Sequence, residues 1–146
     1  MILAGNLDPI AGRDRKLALD LYDKLSLNSD IGLLLILSSS LYSLCYDDLM
    51  AFQVRARRLI ETGEDKVIRK LIEAGYRGYL DRDPRDEFSL MVMAWKFGGS
   101  LSRSRLKGLI FQQKQLSEQN FQRTLSGIRK FSETEALGLL EYIAGR

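Results

Sequence analysis

Residues 31–46 read Ile-Gly-Leu-Leu-Leu-Ile-Leu-Ser-Ser-Ser-Leu-Tyr-Ser-Leu-Cys-Tyr, the longest apolar run in the chain. A membrane span needs roughly 18 to 20 apolar residues. This run is shorter, and it carries Gly32 together with Ser38, Ser39, Ser40 and Ser43. It reads as a helix buried at the centre of a bundle. Asn28-Ser29-Asp30 ahead of it supplies a break and a cap, and Asp47 or Asp48 behind it opens the next helix.

Helical periodicity continues outward in both directions. Towards the amino terminus, Asp8-Pro9 reads as an N-cap followed by proline at the first helical position. Ile10, Leu17, Leu21 and Leu25 then form an amphipathic stripe. Towards the carboxy terminus, Leu49, Phe52, Ala56 and Leu59 share one face of a helix that Gly63 closes. A short helix from Asp65 to about Ala74 buries Val67, Ile68, Leu71 and Ile72, with Gly75 as its stop. Asp83-Pro84 starts a helix with Phe88, Met91 and Trp95 in register, and Gly98-Gly99 ends it. Ser100 is expected to cap a helix carrying Leu106, Leu109 and Ile110. Ser117 is expected to cap another with Phe121, Leu125 and Ile128 aligned. Ser132-Glu133-Thr134-Glu135 matches the capping-box pattern ahead of Ala136, Leu140 and Ile143. No segment alternates apolar and polar residues in the manner of a strand, and no fixed-period repeat appears. The expected fold is all-α, a compact bundle of about seven or eight helices without a sheet, over residues 1–146 as one domain.

Composition narrows the chemistry. The chain has 146 residues, 45% hydrophobic and 28% charged, a globular balance. It contains one cysteine and no histidine, which removes intrachain disulfides, Cys/His zinc sites and every mechanism with a histidine base. The amino terminus lacks the basic start and cleavage site of a secretory signal, and with a free thiol this points to the cytoplasm. Cys45, among Leu41, Leu44 and Tyr46, reads as a small buried hydrophobe. Asp81, Asp83, Asp86 and Glu87 form a carboxylate cluster interleaved with Arg82 and Arg85. Capping and the helix dipole account for it, and a magnesium site wants carboxylates from other segments too. Gly75-Tyr76-Arg77-Gly78 matches the G-x-x-G of KH-domain loops, but those belong to a fold with a sheet, and a helix stop followed by a turn explains both glycines. Tyr76, Arg77 and Tyr79 keep an alternative reading as a stacking or interface patch. Gly98-Gly99-Ser100 opens a helix and has the character of an anion site, although a break between helices needs no further purpose. No catalytic residue, metal or cofactor is expected.

Charge is the most informative feature. The total is only +3, yet residues 96–131 hold Lys96, Arg103, Arg105, Lys107, Lys114, Arg123, Arg129 and Lys130 against the single acid Glu118, a local net of +7. At 100° per residue, Arg103, Lys107 and Lys114 fall within about 40° of one another. Arg123 and Lys130 lie opposite the apolar stripe of the following helix. Gln112, Gln113, Gln115, Gln119, Asn120 and Gln122 surround them. Cations spaced along helices among amides suit phosphate and sugar contacts with little base reading. Arg55, Arg57 and Arg58 form a smaller cluster, expected to fan across an exposed face where bidentate phosphate contacts or ion pairs with nearby acids are both open. A solvated face, or one that docks an acidic protein, is the competing reading of the basic segment. Residues 101–131 also have the length for a helix-turn-helix, though Gln115-Leu116-Ser117 lacks the usual glycine.

A short, basic, histidine-free, all-helical chain without catalytic residues resembles the small subunits of CRISPR-associated multisubunit effector complexes. The resemblance covers the whole chain at the level of architecture and charge, without a diagnostic motif. It implies a non-catalytic scaffold that holds single-stranded DNA, RNA or a guide–target duplex through its backbone. It further implies packing against other subunits and against several copies of itself, with no membrane involved.

Overall fold

The computed structural model describes residues 14–76, 88–130 and 134–145. Eight α-helices are described there and no strand: α1 (Arg15–Ser26), α2 (Ile31–Leu44), α3 (Leu49–Glu61), α4 (Asp65–Leu71), α5 (Phe88–Phe97), α6 (Ser100–Leu116), α7 (Glu118–Arg129) and α8 (Thr134–Gly145). A π-helical turn, Ile72–Tyr76, extends α4. The all-α expectation holds. Asp8-Pro9, the Asp81–Glu87 carboxylates, Arg77-Gly78 with Tyr79, and Ser132-Glu133 lie outside the described residues.

Caps fall where short polar side chains precede apolar runs. Asp30 Oδ1 accepts from the Leu33 N–H at 3.0 Å, and Asn28 Oδ1 accepts from the Asp30 N–H at 2.8 Å. Asp48, rather than Asp47, caps α3 through the Ala51 N–H at 3.1 Å. Asp47 instead pairs with Arg15 at 3.2 Å. Gly63 closes α3 with φ +71°, the left-handed conformation that glycine adopts without a Cβ penalty. In α1 the buried residues are Ala18 and Tyr22, one step off the expected stripe, and Leu17 is 48% exposed. The Tyr22 hydroxyl fixes that rotation by donating to the Leu37 carbonyl of α2 at 2.9 Å. Burial pushes the Tyr22 phenol well above its ordinary pKa, so it stays a neutral donor.

Helix α2 lies centrally, packed by α1, α3, α4 and the π turn. It buries Leu33, Leu34, Leu37, Ser38, Leu41 and Leu44 on one side, while Ile31 and Ile36 reach solvent. Gly75 is not a stop. It lies inside the π turn where a Cβ would come within 2.4 Å of Tyr42 Cβ, so its role is close packing on α2. Helix α5 plays the matching part in the second half, touching α3, α6, α7 and α8. Cys45 is fully buried, as expected, and burial raises its thiol pKa to about 11.

One carboxylate joins the halves. Ser100 is the first residue of α6 rather than its cap. The cap is Asp65, on α4: Oδ1 accepts from the Gly99 and Ser102 N–H groups at 2.8 and 2.9 Å, and Oδ2 from the Leu101 N–H at 3.0 Å. The Ser102 hydroxyl donates to the Asp65 carbonyl at 2.9 Å. The anion-site character of Gly98-Gly99-Ser100, an alternative to a plain helix break, is met by the protein's own carboxylate. A Cβ at Gly99 would sit 2.8 Å from Asp65 Oδ2, and one at Gly98 would sit 2.5 Å from the Ala94 carbonyl. Both glycines are there for space.

Partial burial works against ionisation of Asp65, but the bonds from Ser102, Leu101 and Gly99 together outweigh it and hold the carboxyl below the ordinary 3.8. A folded pKa below the unfolded one adds stability above pH 3.8 that is lost as pH falls through the folded value. Asp65→Ala should therefore lower unfolding free energy by about 2 kcal/mol near neutrality, as an uncapped and part-buried helix start does. The gap between wild type and variant should close in acid, read by urea denaturation across pH.

Candidate nucleic-acid interface

Helices α6 and α7 are joined by Ser117 alone and pack against each other. The Ser117 carbonyl accepts the first bond of α7 from the Phe121 N–H at 3.1 Å. That junction is shorter than the three- or four-residue turn of a helix-turn-helix. The pair buries Leu106, Leu109, Ile110, Phe121 and Ile128, and it turns its basic residues outward or onto aromatic rings.

Arg103, Lys107 and Lys114 share a face of α6, as the helical spacing predicts, and each sits over a ring from a different helix. The Arg103 guanidinium lies 4.2 Å from the Trp95 ring of α5. Lys107 Nζ is 4.8 Å from the Tyr142 ring of α8, and Lys114 Nζ is 5.3 Å from the Phe121 ring of α7. The rings pack among themselves: Trp95 against Tyr142 at 4.8 Å, and Phe111 stacked on Phe121 at 6.3 Å. Arg103 also donates through Nε to the Trp95 carbonyl at 3.0 Å. Arg103 and Lys107 are thus half-buried rather than fully solvent-facing, and so is Arg123, while Lys114, Arg129 and Lys130 are exposed. A ring holds a cation in position without cancelling its charge. None of Arg103, Lys107, Lys114, Arg129 and Lys130 has a carboxylate partner among the described residues.

The second cluster is built differently. Arg55 has a side chain only 14% exposed and pairs with Asp23 at 3.0 Å, so the expectation that all three arginines fan into solvent is corrected. Arg58 takes the other Asp23 oxygen at 3.1 Å. Arg57 Nη1 lies 3.2 Å from the Met93 sulfur. These residues tie α1 to α3 and α3 to α5. Their partners are 32 to 36 residues away in sequence, which is why spacing gave no sign of them.

Two features escaped sequence reading. Lys66, Arg69 and Lys70 form an exposed basic face on α4. Glu73 beside them pairs with Arg69 at 2.7 Å and approaches Arg105 of α6 at 3.6 Å. Hydrogen bonding from Arg69, against some burial, lowers the Glu73 pKa. The other feature is Gly108 in mid-α6, exposed and with nothing within 4 Å of a built Cβ. Glycine there costs about 1 kcal/mol relative to alanine, and nothing among the described residues calls for it. Both signals were present as a 66/69/70 spacing and a lone glycine, but neither stands out without α4 and α6 side by side. No group of three or more potential metal ligands occurs among the described residues, and no described helix is long and apolar enough to cross a membrane.

The ring-seated and free cations should separate by stability. Arg103→Ala should cost about 1 to 2 kcal/mol through lost stacking and the Trp95 hydrogen bond, whereas Lys130→Ala should stay within about 0.5 kcal/mol. Chemical denaturation of both variants reads the difference. No protein-family model matches the chain, and no curated protein or solved structure matches it either.

Proposed function

We propose that the protein is a non-catalytic nucleic-acid-binding subunit whose α6–α7 face holds a sugar–phosphate backbone without reading base sequence. The observation that carries this reading is the set of five cations with no carboxylate partner among the described residues, Arg103, Lys107, Lys114, Arg129 and Lys130. They lie in a segment of net charge +7. Arg55 and Arg58 are the contrast, since both are engaged by the Asp23 carboxylate and tie α3 to α1. Unneutralised cations release counterions from a phosphate chain, which is the main source of sequence-independent affinity. Arg103 keeps guanidinium N–H groups beyond the one given to Trp95, enough for a phosphate oxygen.

Such a surface suits a scaffold subunit of a ribonucleoprotein effector complex, the role implied by the resemblance to CRISPR-associated small subunits. There, neighbouring copies would join their faces into one track, and weak single contacts would sum by avidity. Single-stranded DNA, RNA and a guide–target duplex all present the required phosphates.

A second reading has its own observation. A groove of about 450 Å³ between α6, α7 and α8 is lined by Phe111, Phe121, Leu125, Leu140 and Ile143, together with the two cations Lys114 and Arg129 and the single acid Glu141. An acidic protein segment with apolar side chains would fit it, making the chain an adaptor.

The two readings part on salt dependence and ligand. Lys114→Glu, Arg129→Glu and Lys130→Glu should weaken binding to labelled single-stranded DNA of any sequence. Each should flatten the log affinity–log salt slope by roughly 0.7 or more, since reversal removes at least one contact. Retained affinity and slope in the triple variant would transfer the face to the adaptor reading.

A further inference from the structure

The groove between α4 and α6 lies on the other flank of α6 from the cations seated on rings. It holds about 310 Å³ and runs along Arg105, Gly108, Gln112 and Gln115, with Ile72 and Glu73 forming the facing wall. At 100° per residue those four α6 positions fall within about 80° of one another, a continuous stripe along the helix. The stripe has a cation at one end, two amides at the other and a bare stretch of backbone between. Beyond Glu73 the surface continues into a smaller hollow of about 260 Å³ lined by Lys66, Arg69 and Lys70. Glu73 neutralises Arg69 and reaches Arg105 only at 3.6 Å. Lys66 and Lys70 make no ion pair among the described residues.

Gly108 is the anomaly that needs an occupant. An exposed glycine in the middle of a 17-residue helix is unfavourable, and among the described residues no atom outside its own helix backbone lies within 4 Å of where a Cβ would stand. No contact among the described residues requires its bareness, but it lets an external chain approach the backbone of α6 closely. Within the groove Arg105 and Glu73 balance, but with Lys66, Arg69 and Lys70 of the adjoining hollow the two together carry a net positive charge that favours an anionic chain. Amides at Gln112 and Gln115 suit sugar hydroxyls and phosphate oxygens. An apolar peptide would find only Ile72, Leu109 and Phe111 for its side chains.

We infer that the α4–α6 groove is a second docking track for a nucleic-acid backbone, laid over Gly108 between Arg105 and the two glutamines and continued by Lys66 and Lys70. This rests on the reading that the protein binds nucleic acid, but it uses none of the residues of the α6–α7 face. A chain with tracks on both flanks of α6 contacts two strands, or two segments of one strand, at once.

The test uses the full chain with labelled poly(dT) at fixed salt, and poly-glutamate as the rival anion. Gly108→Ala should raise Tm by a few degrees or leave it unchanged. Gly108→Leu, with room for its side chain, should stay folded by circular dichroism yet weaken poly(dT) binding about fivefold or more. Lys66→Glu with Lys70→Glu should weaken it about tenfold and lower the salt slope. Groove variants that bind poly(dT) like wild type, while the Lys114/Arg129/Lys130 reversal loses binding, would overturn the second track and leave the α6–α7 reading standing. Loss in the groove variants alone would keep the track and remove that reading. Loss of poly-glutamate binding without any effect on poly(dT) would overturn the track and assign the groove to an acidic protein.

Discussion

The Asp65 carboxylate decides where α6 begins. A helix start exposes N–H groups that need acceptors, and here they point at a side chain borrowed from α4 rather than at a local serine. That single arrangement sets the axial position of α6 against α4. It therefore sets which side chains of α6 line the α4–α6 groove and which lie over the rings of α5, α7 and α8. The constraint reaches back into composition: with Gly98 and Gly99 any larger, the carboxylate and the Ala94 carbonyl would both be obstructed. Gly99 is the steric consequence of a cap delivered from outside, and Gly98 of the close approach of the Ala94 carbonyl and Ser102.

Around this joint the protein separates two uses of arginine. Where a cation is to hold helices together, as at Arg55 and Arg58, it meets the Asp23 carboxylate and part of the local charge is offset. Where charge is kept, as along Arg103, Lys107 and Lys114, an aromatic ring does the positioning. A planar quadrupole attracts a cation without contributing a full opposing charge. The rings are themselves spanned by two or more helices, so the basic row stands on a rigid footing built from α5, α7 and α8.

Helix locations were legible because the signals are local. Asp30, Asp48 and Gly63 act within a few residues of themselves, and Leu33, Leu37, Leu41 and Leu44 carry the period of α2 in plain view. Misreadings arose where a distant group intervened: Tyr22 rotating α1 onto the Leu37 carbonyl, Tyr42 requiring a small residue at Gly75, Asp65 displacing Ser100 as cap. The basic residues of the candidate interface were equally legible, since α6 spacing put three cations on one face. Their supports were not. Trp95, Tyr142 and Phe121 reach that face only through tertiary packing, and Asp23 finds Arg55 across 32 residues. Gly108 was invisible as a feature because its significance is an emptiness that needs the neighbouring helix to define it.

Cys45 gives the bundle an internal clock. The thiol is fully buried beside the central helix, and its ionisation is pushed up to about 11. A disulfide reagent in bulk solution cannot meet a thiolate there while the native packing persists. Labelling must wait for an opening that uncovers the end of α2, so its pace reports how often the core parts. The chain has no second cysteine to confuse the signal. Breathing of the bundle is thereby written into the reactivity of one sulfur atom.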